Sequence, residues 1–357
     1  MKNSTAGISK KMRKLCLIIL MSLLFCTGCA GKDNIKIVLT TGFEKDELFR
    51  IEEMSCNERE MMIYLTNVRN QYKEAYGEDI FNNSDYGQSL SENVKEMVLA
   101  DISRIKAMNL FAGEYGVSLN AQEKEDAHYA AERYLSSLSE QEIKLLDADQ
   151  KLIAGMYEEY MLANKIYYYI IRDVMPVISD DEARTITVSR IMIKTHYYDI
   201  KGVAQPYSKE AKKDLYGKLQ LIKEDIAGGE DFTVAASKIS EAEVTTFSFR
   251  KGEGDKHFEE AAFNLGTGEV SDILETEEGY VLIKCLNAYD KEETDKNKEV
   301  ILNKRKKEAF NEDYDRFAKG LTKMLNEDLY NHITPLEDEA LTTSSFYDVI
   351  NEVMEQK

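Results

Sequence analysis

The sequence predicts an α+β protein, a helical domain interrupted by a smaller sheet domain, and three observations carry that reading. Apolar residues recur at three- and four-residue spacing through most of residues 89–173. The texture then changes to the alternating, β-branched run at residues 185–194 (TITVSRIMIK), which suits a strand. Only three prolines occur in 357 residues, Pro176, Pro206 and Pro335, so long helices can run without the lost amide donor and ring clash that proline brings.

Composition narrows the class. Hydrophobic residues make up 43% and charged residues 31% of the chain, a globular balance that excludes a disordered, collagenous or polytopic membrane protein. The 65 acidic and 46 basic side chains leave a net charge of −19, so nucleic-acid binding, which needs a basic face to release counterions from phosphates, is not expected.

Residues 1–28 read as a signal peptide. Lys2, Lys10, Lys11, Arg13 and Lys14 form a basic stretch with no acid, and residues 15–25 (LCLIILMSLLF) follow as an apolar run. That run is shorter than the roughly 20 residues needed to cross a bilayer core, and it fits a secretory signal. Cys26-Thr27-Gly28-Cys29 then sets small residues before a cysteine and resembles the lipobox of bacterial lipoproteins, with Cys26 where leucine usually stands. The resemblance implies cleavage before Cys29, a lipid on its thiol, and an extracytoplasmic protein anchored to the cell membrane; ordinary signal cleavage and an uncleaved anchor are the other outcomes. Cleavage there removes five basic groups and takes the charge from −19 to −24, so the body is expected to stand off an anionic membrane face. Cys56 and Cys285 then remain. Two cysteines make no disulfide framework, and they are expected to be free thiols, with pairing in an oxidising compartment as the alternative.

Along the rest of the chain, residues 35–41 (IKIVLTT) predict a strand, followed by a long helical region. Ser89 with Glu92 has the spacing of a capping box, and Val94, Val98, Ile102, Ile105 and Met108 lie on one face of the helix it opens, closed by Gly113 and Gly116. Asn120 with Glu123 opens a second helix, Ser139 with Glu142 a third, and residues 147–173 make a longer fourth. Pro176 and Ser179-Asp180-Asp181 place a boundary near residue 180, so residues 29–180 are expected as an N-terminal helical domain. Beyond it come the strand at 185–194, helices at 208–227 and up to Ser240, a strand near 245–249, a helix around 258–263 and a strand at 279–286. Tyr289 begins a connector into a helix expected at 294–330. Its apolar residues Val300, Ile301, Phe310, Phe317, Leu321 and Leu325 need cover, so residues 291–357 are expected to return to the N-terminal domain.

Residues 183–290 resemble the parvulin family of peptidyl-prolyl isomerases. The matching words are Gly229-Glu230-Asp231-Phe232 with Ala236 and Ser240, then Phe258-Glu259-Glu260-Ala261-Ala262-Phe263, Leu265, Gly268-Glu269-Val270-Ser271, and Gly279-Tyr280 with Ile283-Lys284. Their order and spacing over the whole segment carry the match. With the lipobox, the helical N-terminal region and the C-terminal helix, the chain is similar to the PrsA-like and SurA-like foldases, exported chaperones. That similarity implies unfolded or nascent secreted proteins and X-Pro peptides as partners, and no cofactor.

Turning an X-Pro bond means passing a barrier near 20 kcal/mol set by amide resonance, which requires no metal or nucleophile. In active parvulins an apolar cup of leucine, methionine and phenylalanine holds the proline ring, and two histidines with a cysteine or aspartate line the floor. Alignment through TVSRIMI puts Arg190 at the first histidine position, and alignment through Gly279-Tyr280 puts Val281 at the second. Ala242 falls at the cysteine or aspartate position, Gly254 at the methionine and Thr246 near the leucine, while Phe258 matches the cup phenylalanine and Phe249 a flanking aromatic. Arg190 stays protonated and Val281 donates nothing, so isomerase activity is expected to be weak or absent. No catalytic residue is assigned, and substrate contact is expected at Phe258, Phe249, Arg190 and Val281. For Phe258, core packing is the equal alternative; for Phe263 it is the expectation.

His128, His196, His257 and His332 have no metal-ligand spacing, no G-x-S-x-G pattern occurs, and Gly252-Glu253-Gly254 lacks the lysine and helix of a phosphate loop. Tyr167-Tyr168-Tyr169 reads either as a helix sandwiched between neighbours or as an aromatic lining for unfolded chains. Two functions remain open: an exported foldase, or a non-catalytic docking module for a dedicated partner.

Overall fold

The computed structural model describes residues 42–84 and 87–355; the signal segment, Cys29 and the strand expected at 35–41 lie outside them. The fold is α+β and divides into two compact units, one built from the chain up to Val174 together with Lys307–Lys357, the other from Met175–Lys306.

The first unit opens with an antiparallel pair, β1 (Glu47–Ile51) and β2 (Met54–Asn57), where the sequence predicts helix. The pair is hidden from pattern reading because Leu48, Phe49 and Ile51 are all buried, so β1 shows no in-and-out alternation. Asn57 ends β2 and caps α1 (Glu58–Tyr76), accepting from the Glu60 amide while the Glu60 carboxylate accepts from its own. Helix α2 (Gly87–Glu114) starts two residues before Ser89, so Ser89 is not its cap. Gly87 permits this early start, because a Cβ there would lie 2.2 Å from the Phe81 carbonyl oxygen. The boxes at Asn120 and Ser139 do form and open α3 (Ala121–Ser137) and α4 (Glu140–Leu145). Asp147 takes a left-handed φ of 46°, so the next helix, α5 (Gln150–Ile171), begins later, capped by Asp149.

In the second unit the polar turn at Ser179 is a single helical turn, α6 (Asp180–Ala183). The chain continues through β3 (Thr185–Lys194), β4 (His196–Tyr198), β5 (Ala204–Pro206), α7 (Lys209–Ala227), α8 (Phe232–Ile239), β6 (Thr246–Arg250), α9 (Lys256–Phe263), β7 (Leu274–Glu275) and β8 (Gly279–Asn287). Strands β6, β3, β8 and β7 form one antiparallel sheet in that order, and β4–β5 forms a separate ribbon absent from the sequence reading. One face of the sheet, with Ile191, Ile193 and Leu282, is covered by Leu219 of α7 and Phe232, Ala235 and Ala236 of α8. The other faces α9.

The chain leaves this unit along α10 (Lys291–Ala318), then forms β9 (Lys323–Leu325), α11 (Glu327–His332) and α12 (Phe346–Glu355). The single helix expected to reach residue 330 stops at Ala318, because residues 323–325 are recruited as an edge strand on β1, with Phe49 opposite Leu325. Of its apolar positions, Phe310 is fully buried, Phe317 and Leu321 pack on the first core, and Val300 is exposed.

Much of what holds the first unit is polar. Asn67 donates to the Ile63 carbonyl and the Tyr134 hydroxyl and accepts from the Phe346 amide; Asn70 donates to the carbonyls of Leu341 and Thr343. Glu142, after capping α4, accepts from the amides of Thr342 and Thr343, each at 2.9 Å. These bonds seat the C-terminal segment so that Phe346 enters a nest of Tyr64, Tyr134 and Tyr157, ring centroids 4.5–5.3 Å away. Of Tyr167-Tyr168-Tyr169, Tyr168 is exposed while its neighbours pack on the core, Tyr167 against Phe310.

Candidate functional site

The α9 face of the sheet gathers the residues singled out in sequence. Even-numbered side chains of β3 point to it, so Arg190 stands in line with Ile186, Val188 and Met192. The register sets Val281 opposite Met192, one step diagonally from Arg190, and sets Phe247 opposite Val188 and Phe249 opposite Ile186. Helix α9 closes the face. Asp255 caps it by accepting from the amides of His257 and Phe258, each at 3.0 Å, and that fixed first turn drives Phe258, with Ala262 and Phe263, onto the sheet.

Arg190, Val281, Phe249 and Phe258 are therefore brought together, and they fill the space between them. Phe258 is 7%, Phe249 6% and Val281 2% exposed. The Phe258 ring stacks on Phe247 at 6.1 Å and 20° and lies 5.6 Å from Phe249; Phe249 meets Phe263 edge-on at 5.4 Å. Arg190 lies over the outer side of this stack, its guanidinium carbon 5.2 Å from the Phe247 centroid, with Nε donating to the Val244 carbonyl at 3.2 Å and a carboxylate oxygen of Glu278 3.9 Å away. Phe258 is thus buried against Phe247, with little of its ring left at the surface.

Thr246, placed near the cup leucine by sequence, lies on the opposite face, its hydroxyl bonded to Ser189; the neighbouring Phe247 occupies the cup side. Sequence reasoning passed over Phe247, although its two-residue spacing from Phe249 on a strand already put both on one face. Val244 and Glu278 were also missed, and nothing in the local sequence signals them, since only the sheet register brings them to Arg190. Ala242 packs against the cluster, and a Cβ at Gly254 would sit 3.9 Å from the Phe249 ring, so both family positions border the site with almost no side chain. His196 lies in β4 against Tyr198, and His257 is exposed beside the cluster.

The site offers a guanidinium, an aromatic stack and one backbone carbonyl already in use. Positions 190 and 281 carry no imidazole, and His257, next to Phe258 in the chain, is exposed. Burial pushes the Cys285 thiol on β8 up, so no thiolate nucleophile is available at neutral pH; Cys56, buried in β2, is raised further by the same cause. Both cysteines are unpaired. Among the described residues no group of three or more histidine, cysteine or acidic side chains is placed to hold a metal ion.

Residues 191–287 match the family described as Rotamase, PPIC-type PPIase domain. The foldase protein PrsA of Caldanaerobacter subterraneus subsp. tengcongensis is 24% identical over 273 residues, covering 71% of this chain and 78% of its own. Foldase protein PrsA 3 of Bacillus cereus is 31% identical over 134 residues, 35% of this chain and 45% of that one. A crystal structure of the peptidylprolyl isomerase PrsA from Bacillus cereus aligns with 90% of this chain and 99% of its own at 17% identity, with a TM-score of 0.34, too loose a likeness to carry weight. The sheet, with one face under α7 and α8 and the other under α9, lies in the segment that matches the parvulin-type domain model, and the flanking sequence is similar to that of a PrsA foldase.

Proposed function

We propose that this protein is an exported foldase, tethered to the outer face of a bacterial cell membrane through a lipid on Cys29, that holds unfolded or nascent secreted proteins while its parvulin-type domain has weak or no isomerase activity. One observation carries the reading: the stack of Arg190, Phe247 and Phe258, with Val281 beside it, fills the ground where the family resemblance places two imidazoles and a proline cup. A proline ring needs room, and the imide needs donors that turn with it. Without either, the barrier near 20 kcal/mol set by amide resonance is left almost untouched. What remains reachable is the rim, Arg190 and the exposed Val244, which suits loose contact with X-Pro segments rather than turnover.

A protease-coupled assay with a short X-Pro peptide and the full chain is expected to show no rate above spontaneous isomerisation. Turnover that disappears in Arg190→Ala would overturn the reading. Suppression of aggregation of several unrelated unfolded proteins is expected at the same time; one stable partner in a pull-down, without general suppression, would instead favour the dedicated docking module. Fatty-acid labelling that is lost in Cys29→Ser tests the tether, and an unlabelled wild-type chain would reject it.

A further inference from the structure

The ribbon of β4 and β5 has no core to cover. Its register pairs His196 with Pro206, Tyr197 with Gln205 and Tyr198 with Ala204. Tyr197 packs beside Tyr207 with ring centroids 5.7 Å apart, while Tyr198 turns to the other side and meets His196 at 5.3 Å. Aromatic rings thus project on both sides of two three-residue strands, and Tyr197, Tyr198 and Val203 are each about half exposed. Ile200, at the tip, is fully exposed.

The tip is held in shape. Gly202 takes a φ of 73°, and the Asp199 carboxylate accepts from the amides of Lys201 and Val203, each at 2.9 Å, and from the Gln205 amide group at 3.2 Å. Asp199 therefore spends its acceptors on the turn that presents Ile200. The charge of this stretch is opposite to that of the chain: residues 194–213 carry Lys194, Lys201, Lys209, Lys212 and Lys213 against Asp199 and Glu210, +3 along the sequence in a protein of −19, while Glu241 accepts from the Lys194 amide at the ribbon's base.

We propose that this ribbon is a membrane-interface contact, with Ile200 entering the headgroup region of an anionic bilayer, the tyrosines at headgroup depth and the lysines on lipid phosphates. A two-stranded tip offers a peptide no groove, whereas tyrosine rings beside an aliphatic residue, in a lysine-rich stretch of chain, match the layered polarity of an anionic lipid surface. The contact goes beyond the lipid tether and does not require it: it makes the ribbon a local exception to a body otherwise repelled from the membrane.

The chain contains no tryptophan, so Ile200→Trp places a single reporter at the tip. The full chain is mixed with vesicles of phosphatidylcholine alone, or of phosphatidylcholine with phosphatidylglycerol, and a Cys29→Ser version is run beside it to separate this contact from any lipid anchor. The expected result is a blue-shifted emission, quenched by bromine-labelled acyl chains, with the phosphatidylglycerol vesicles only and in both versions. Adding Lys201→Glu with Lys209→Glu is expected to lower vesicle binding on the order of tenfold. Tyr129→Trp on α3, exposed but outside the basic stretch, is expected to show neither change. An indole at position 200 that keeps a water-exposed emission with every vesicle overturns the proposal. So does a shift seen only when an unfolded polypeptide is added without vesicles, which would make the ribbon a client surface.

Discussion

Lys106 in the first unit and Arg190 in the second are both cations set among apolar side chains, and their surroundings differ sharply. Lys106, 3% exposed at its side chain, leaves α2 to meet Glu60 of α1 at 2.7 Å and Glu159 of α5 at 2.8 Å. Arg190 is 24% exposed, has one exposed carboxylate at 3.9 Å, and otherwise rests on an aromatic ring and a carbonyl. A buried ammonium without partners would be expelled, so the triad at Lys106 ties three helices together. A guanidinium at a rim keeps its water and tolerates thin compensation, which leaves it available to an outside partner.

The comparison is broken most strongly by removing Lys106. Lys106→Met strands two carboxylates and is expected to cost the first unit about 3–5 kcal/mol in urea unfolding. Adding Glu60→Gln and Glu159→Gln should recover much of it. Glu142→Gln, which weakens the acceptor shared by the Thr342 and Thr343 amides, is expected to cost about 1–3 kcal/mol and to speed hydrogen exchange at both amides.

The triad also predicts a pH dependence. Burial pushes the Glu159 carboxyl up to about 7 against the pull of Lys106, from an ordinary 4.5. The folded state then holds a proton that the unfolded chain has released, so this contribution to stability is complete below pH 4.5 and is lost as pH rises through about 7. Unfolding midpoints should fall across that window and lose this slope in Glu159→Gln. Last and smallest, Arg190→Met should cost under about 1 kcal/mol, because a partly exposed cation–π contact and a long ion pair are worth little. A loss equal to that of Lys106→Met would erase the distinction between the two sites.

Legibility followed locality. Asn120 with Glu123 and Ser139 with Glu142 were readable because each capping box closes within four residues. Strand β3 was readable from its β-branched run, and the family words at Gly229, Phe258 and Gly279 located the sheet domain. Strands β1 and β9 were not readable: the first is buried on both faces and the second is three residues whose only reason to extend is an open edge on β1. At the site, the identities of Arg190 and Val281 were plain in the sequence, whereas the inward turn of Phe247 and the outward turn of Thr246 depended on register.

By itself, the sequence determined the balance of charge, the helix starts whose caps lie within a turn of them, and the side-chain chemistry open to the parvulin-type domain, because each depends on residue identity and short spacing. Tertiary structure alone decided that Phe258 is buried against Phe247, that Lys106 finds two carboxylates on separate helices, and that Ile200 is left fully exposed. Those outcomes rest on contacts between residues far apart in the chain, where packing, and not local preference, chooses which face of a residue meets water.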